Sequence, residues 1–516
     1  MPHSTIAEQE LPPDQMEEDT DLPDATITKD EHIDGESDSG TLTDGPQKQD
    51  VKLEDLFNDE DSDDEEFPSS SAPDGKVESS PPAAPVQVAP AAKYTDPEIM
   101  LAFYQRLFPF RYLFQWLNHA IKPSNDFAHR EFAFTLQSDA YLRYQSFMTG
   151  DLLRKQVLQQ NPSRFEIGPV YSANPRDRKT LRKATAFRPI AKELVFDLDL
   201  TDYDEIRTCC DKANICHKCW SFVTMAIKVV DAALREDFGF EHIMWVYSGR
   251  RGAHAWISDK RARNMDDSRR KALAGYLEVV KGGSQSGKKV NVRRPLHPHL
   301  ARSLEILKPY FGHEILEEQD PFASDKGSER LLSLLPDAAL VAALRKKWDA
   351  APNRTSTYKW ADIDSVAKSG ASKTLDGKAL LEAKQDIVLE YTYPRLDVEV
   401  SKKQIHLLKS PFVIHPGTGR VCVPINLSKL EKFDPLGVPT VTELLGEIDE
   451  YDSTTMKTEE DDGGDGKEGG GKVTADYEKT SLKPYVEYFK TYVASLLKAE
   501  KGAVVKRERE EDGMEF

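Results

Sequence analysis

The 516-residue chain carries 69 Lys/Arg against 88 Asp/Glu, a formal charge of −19 at pH 7, and holds 5 cysteines. It has no apolar run of about eighteen residues and no signal-like N-terminus, which argues against a membrane-spanning helix and a secreted disulfide scaffold, and an intracellular chain is expected. An acidic total would also argue against nucleic acid, but the charge is unevenly spread.

Residues 1–93 hold 26 Asp/Glu and 5 Lys/Arg with abundant Pro and Ser, which predicts a disordered acidic segment. Inside it Leu53, Leu56 and Phe57 form an apolar island, either filler or a short helix that docks in a partner's groove. A Gly-rich stretch, 449–472, with 9 acidic and 3 basic residues predicts a second flexible loop. The two segments carry −21 and −6 of the chain's −19, which leaves the remainder mildly basic at +8. That remainder is long enough for a large core, and its pattern predicts an α/β (α+β) fold with a helical lobe inserted. The expected parts are a first catalytic segment at 94–265, a helical subdomain at 266–390, a second catalytic segment at 391–448, and a C-terminal helix with a tail at 473–516.

In chain order, Thr95-Asp96-Pro97 offers an N-cap and a first-turn proline, and Ile99, Met100, Phe103, Leu107 and Phe108 follow at helical spacing. Short strands and turns are predicted over 131–147. Residues 176–192 hold seven Lys/Arg and one acidic residue, either a solvated loop or a contact for nucleic-acid phosphates. The run 193–200 alternates as a β-strand, which turns Phe196, Leu198 and Leu200 into a core and sets Asp197 and Asp199 on the other face. Paired carboxylates are either solvated surface groups or ligands for Mg²⁺ or Mn²⁺ in phosphoryl and nucleotidyl transfer.

Cys209, Cys210, Cys216 and Cys219 follow at C-C-x5-C-x2-C spacing, which predicts a structural Zn²⁺ site; His217, inside the closing knuckle, leaves a three-cysteine, one-histidine set open. After a helix over 220–235, a hairpin spans 242–258 around the turn Gly249-Arg250-Arg251-Gly252, with Ser248 and His254 near its tip. It is either an ordinary charged turn or a phosphate grip in which two guanidiniums and a histidine converge. A helical region is expected from 266 to about 389, and an alternating strand at 393–400. That strand would face Asp397 and Glu399 away from Leu396, Val398 and Val400, so that Asp397 supplies a third carboxylate; Lys409 and His415 beyond it can reach phosphate.

From about residue 94 to its end the chain resembles the small, catalytic subunit of eukaryotic and archaeal DNA primase. The blocks that carry the likeness are HREFAFTL (129–136), YLRYQSF (141–147), ELVFDLDLTDYD (193–204), CC-x5-CHKCW, VYSGRRGAHAWISD, YPRLDVEVSK, HLLKSPFVIHPGTGR and TSLKPYV (480–486). The resemblance implies the primase catalytic fold, with mixed β-sheets flanked by helices, a helical subdomain and a zinc motif. It implies synthesis of short RNA primers on single-stranded DNA from ribonucleoside triphosphates by two-metal transfer. Catalytic Asp197, Asp199 and Asp397 would hold the Mg²⁺ or Mn²⁺ pair. Ser248, Arg250, Arg251, His254, Lys409 and His415 would hold the triphosphate, with Arg143 and Glu131 near the incoming nucleotide. All four cysteines would hold one Zn²⁺. Implied partners are a large primase subunit with an iron–sulfur domain and the catalytic and accessory subunits of DNA polymerase alpha, and the implied location is the nucleus. Two rivals stand beside this reading. Asp197-x-Asp199-x-Thr201 also fits the first motif of haloacid-dehalogenase-like phosphatases, although a glycine is usual where Leu200 stands, and a zinc module could scaffold nucleic acid without catalysis.

Overall fold

In the computed structural model the described residues are 94, 96–280, 289–290, 292–461 and 474–512, with the side chains of 184, 456–461 and 503–512 outside the description. The acidic segment 1–93, its 53–57 island and residues 462–473 lie outside the described residues. The first helix, Pro97–Arg106, starts as its sequence predicts. The Asp96 side chain accepts from the Glu98 N–H at 2.9 Å, Pro97 fills the first turn, and Met100, Phe103 and Tyr104 are buried.

Among the described residues nine strands follow in chain order: β1 Arg130–Thr135, β2 Tyr141–Gln145, β3 Arg164–Tyr171, β4 Pro189–Ala191, β5 Leu194–Asp199, β6 Ile243–Tyr247, β7 Gly252–Ile257, β8 Leu408–Lys409 and β9 Pro424–Ile425. They form two sheets in an α+β arrangement. The first runs β2-β1-β3-β4, with β8 also paired to β3, and the second runs β5-β7-β6-β9; every named pair is antiparallel.

The chain passes from the first sheet to the second in two residues, Lys192 and Glu193, both fully buried. A carboxylate sealed there would be costly without partners. Glu193 has them: Arg130 of β1 donates from Nη1 at 2.7 Å and from Nη2 at 3.0 Å, and His119 lies 3.0 Å away. Burial works against its ionised form, but Arg130 and His119 prevail and hold the carboxyl well below the usual range. This pair ties β1 of the first sheet to the residue that leads into β5 of the second.

The helix His217–Ala232, buried at Trp220, Phe222, Val223, Ala226, Ile227 and Val230, backs the second sheet. Helices then fill most of the stretch from Asp267 to Thr392. The helix Lys483–Asp512 buries Val486, Phe489, Val493 and Leu496 on one face. It is pinned where Tyr492 and Trp116 both donate to Ser258 Oγ, at 2.9 and 2.8 Å.

Two expectations need correction. The helix Val441–Asp461 runs on through 449–461, where a loop was predicted; Leu444 and Ile448 anchor it, and Asp452 pairs with Lys479 at 2.8 Å. The predicted strand over 393–400 is a single bridged residue followed by the helix Val398–Lys402. No helix among the described residues is long and apolar enough to cross a membrane.

Breaking the Arg130–Glu193 pair leaves one buried charge alone. Arg130→Met is expected to cost about 3–5 kcal/mol in denaturant unfolding. Because Glu193 titrates lower in the fold than in the unfolded chain, its contribution is present above about pH 4.5 and is lost as pH falls further. Glu193→Gln removes that acid-side component; an unchanged acid limb in the variant would reject the assignment.

Candidate active site

The predicted aspartate strand is β5, with Phe196, Leu198 and Leu200 fully buried on its core side. Its antiparallel register places Asp197 beside His254 and Asp199 beside Gly252 of β7. On the other edge of β5, Asp397 forms an isolated antiparallel bridge with Asp197, its N–H donating to the Asp197 carbonyl at 3.3 Å. Residues directly opposite on neighbouring strands point to one face. Asp397, Asp197 and His254 therefore lie in one row, although Asp397 does not stand in a longer strand.

The reason lies in its neighbours. The Asp397 side chain accepts from the Glu399 N–H at 3.0 Å and caps a helix that buries Val398 and Val400, and Ser401 Oγ donates to the Val195 carbonyl at 2.6 Å. Glu399, expected beside Asp397, is turned outward to Lys402.

Asp197 and Asp397 in this row, with Asp199 two residues along the same face, carry a cost. Asp197, its side chain 26% exposed, is pushed up to about 7 by burial and then by Asp199 and Asp397, against an opposing pull from Lys409. Asp202, singled out by no sequence pattern, is raised to about 6 by burial and by the same two aspartates. Asp199 is better compensated: Arg251 Nε donates to it at 2.7 Å, and Thr201 donates twice at 2.8 Å. Hard oxygen donors with unbalanced negative charge are what a divalent cation requires, so the residues fit Mg²⁺ or Mn²⁺.

Opposite them stands the predicted hairpin, β6–β7. Its turn is closed by Ser248, whose N–H donates to the Gly252 carbonyl at 2.9 Å and whose Oγ accepts from the Gly252 N–H at 3.0 Å. Gly249 has φ of +89°, and a Cβ on Gly252 would meet the Leu198 carbonyl oxygen at 1.9 Å, so both glycines are required. Arg250 reaches the loop that carries His415, and Arg251 turns to Asp199. His254 Nε2 lies 3.5 Å from Asp197.

Both histidines titrate low, near 3. Burial and Lys409 are the causes at His254, and burial, Lys409 and Arg250 lead at His415. With both histidines neutral, the positive charge around the aspartates resides on Arg250, Arg251 and Lys409. Lys409 comes from the first sheet, where β8 pairs Lys409 with Glu166 of β3.

Glu131 and Arg143 are joined to each other, also in the first sheet. Glu131 is fully buried and accepts from Arg143 Nε at 3.0 Å, from the Tyr144 N–H at 3.1 Å and from the Tyr171 hydroxyl at 3.0 Å. Neither touches the aspartates directly. Near them His406 is lowered to about 4 by burial, then by Lys192 and Arg143. Sequence spacing gave no signal for Tyr171 or Lys192.

The sulfur atoms of Cys209, Cys210, Cys216 and Cys219 lie within 4.8 Å of one another, a cluster that could hold a metal ion. His217 is not part of it: the ring is exposed and faces Asp434, with Nε2 3.0 Å from Oδ1. The open choice thus resolves to four cysteines. Gln319, from the helical stretch, donates to Cys209 Sγ at 3.3 Å.

The family model described as DNA primase small subunit matches residues 196–427. The chain is 54% identical over 429 residues to the DNA primase small subunit of Schizosaccharomyces pombe, which covers 82% of this chain and 93% of that one. It is 45% identical over 414 residues to that of Saccharomyces cerevisiae, covering 80% and 94%. A more distant archaeal likeness, the DNA primase small subunit PriS of Pyrobaculum aerophilum, is 28% identical over 152 residues, covering 29% and 47%.

The raised Asp197 gives a pH prediction with a definite sign. The metal-free fold holds its proton more tightly than the unfolded chain, so stability is lost as pH rises from about 3.8 through about 7. In EDTA at pH 8, Asp197→Asn is expected to melt at least ~2 °C above wild type, with the gap shrinking toward pH 5. A variant that melts lower at pH 8 contradicts the electrostatic reading.

Proposed function

The chain belongs to the DNA primase small-subunit family, and on that premise we propose that it is a catalytic subunit that synthesises short RNA primers on single-stranded DNA. The observation that carries this reading is the Asp197–Asp397 bridge. It draws a third carboxylate from about two hundred residues away onto the face of the D-x-D strand, opposite an arginine hairpin.

Asp197, Asp199 and Asp397 would hold two divalent cations, Mg²⁺ or Mn²⁺, which when bound supply charge neutralisation and an activated 3′-hydroxyl. The remaining work falls to the chain's own groups. Arg250, Arg251 and Lys409 bring positive charge to the triphosphate, a largely electrostatic contribution. Ser248 keeps the turn closed so that backbone can approach a phosphate, and neutral His254 and His415 donate to phosphate oxygens without adding charge. Arg143, aligned by Glu131, reaches the incoming ribonucleotide. Arg251, paired with Asp199 at 2.7 Å, would exchange that partner for a phosphate oxygen when substrate binds.

The four cysteines would hold one Zn²⁺ in a structural role, since four thiolates leave no open position. Partners in this reading are a large primase subunit and the DNA polymerase alpha subunits, and the setting is the nucleus.

With a primed oligonucleotide template, ribonucleotides and Mg²⁺ or Mn²⁺, wild type is expected to extend, Asp197→Asn/Asp199→Asn to give no product, and Arg251→Ala to lose roughly 10²-fold in rate. Extension by the double aspartate variant would sink the assignment. Elemental analysis is expected to find about one zinc per chain, lost in Cys219→Ser together with several degrees of Tm. A zinc-free wild type of unchanged stability would refute the structural role.

A further inference from the structure

The basic stretch forms a distinct surface over residues 176–188, while Lys192 is buried at the sheet crossing. The short 3₁₀ helix Pro175–Thr180 packs against β2, tied where Ser146 Oγ donates to Asn174 Oδ1 at 2.6 Å. From it and the turn that follows project Arg176, Arg178, Lys179, Arg182, Lys183 and Arg188, all exposed except half-buried Arg178, against one acid, Asp177. None of the six has a carboxylate within ion-pair distance among the described residues.

Two of them lie on rings instead. The Arg178 guanidinium is 4.0 Å over the Tyr144 ring and Arg176 is 4.9 Å over Phe147. Cations held over aromatic rings are positioned without being neutralised. The bland alternative, a charged loop free to move in solvent, would not hold them this way.

Tyr144 shows why the surface has this shape. Its φ is +59°, rare for a residue with a side chain, and its N–H donates to Glu131. The same carboxylate accepts from Tyr171, whose ring stacks on Phe187 with centroids 4.1 Å apart and planes at 8°. Phe187 anchors the far end of the basic stretch, next to Arg188. One buried carboxylate thus aligns Arg143 and holds both ends of the shelf.

We propose that this shelf, with Tyr144 at its edge, binds the phosphodiester backbone of a nucleic-acid strand and is separate from the arginines that face the triphosphate. The inference rests on the nucleotidyl-transfer reading, which requires a strand beside the nucleotide. Unpaired ordered cations interleaved with aromatic rings suit a strand whose phosphates are read without regard to sequence.

The test uses the full chain and fluorescence anisotropy, with labelled single-stranded DNA and an RNA-primed template titrated over a range of salt. Lys179→Gln/Arg182→Gln/Lys183→Gln removes three exposed charges that make no ring or ion contact. Its log–log salt slope is expected to be shallower by about 2 on single strands or nearly 3 on duplex, at roughly 0.7–0.9 per phosphate. A change confined to one probe identifies the template strand or the primed duplex as occupant, and either supports the proposal. Lys346→Gln/Lys368→Gln/Lys373→Gln, equal in charge and exposed on the helical stretch, should leave the slope unchanged.

An unchanged slope in the shelf variant, an equal change in the control, or a loss of nucleoside triphosphate affinity in the shelf variant overturns the proposal. Wild type that binds strands with a shelf-dependent slope but fails to extend a primer would refute the catalytic reading and leave the shelf standing. Extension with a slope indifferent to the shelf would do the reverse.

Discussion

Three like charges held on one face of a sheet are the constraint around which this molecule is built. Asp197, Asp199 and Asp397 repel one another, and the cost is visible in the raised Asp197 and Asp202. A fold tolerates such a cost when something outside the chain removes it. The surroundings are arranged so that only part of it is removed from within: Arg251 answers Asp199, Lys409 acts on Asp197 from the neighbouring sheet, and His254 and His415 stay neutral. The carboxylates that result are left with less positive charge around them than they need, as the raised Asp197 and Asp202 record.

That balance depends on how the two sheets meet. β5 carries the aspartates, β8 carries Lys409, and the chain crosses between the sheets at Lys192 and Glu193. Glu193, gripped by Arg130 and His119, sits one residue before β5, so a buried pair ties the first sheet to the start of the aspartate strand. Glu131 repeats the device in the first sheet, where one buried carboxylate with three donors aligns Arg143 and the surface beyond it.

Much of this was legible in the sequence, and what was not has physical reasons. The strand 193–200 declared its faces because alternation of large apolar residues with aspartate has few other solutions. The hairpin was legible from a turn needing two glycines, and the cysteines from their spacing. Residues 393–400 misled because burying Val398 and Val400 satisfies a one-turn helix as well as a strand, and a tertiary contact, Ser401 to Val195, decided between them. The helix through 449–461 was hidden by an acidic composition that says nothing of Lys479 waiting on another element. The neutrality of the histidines and the partner of Arg251 follow from burial and register, which no single segment encodes. Family membership displaces the phosphatase and scaffold readings that the D-x-D-x-T pattern and the cysteines had left open.

The most direct test of the central claim concerns Asp397, because its part in the site depends on a bridge between distant segments. Mn²⁺ binding should be measured by electron paramagnetic resonance in the presence of a nucleoside triphosphate, for wild type and Asp397→Asn. The account predicts about two Mn²⁺ per wild-type chain and a clear loss in the variant at the same free concentration, with an unchanged melting profile. Equal Mn²⁺ binding in the two proteins would contradict it, and would mean that the bridge brings Asp397 close to Asp197 without making it part of the cation site.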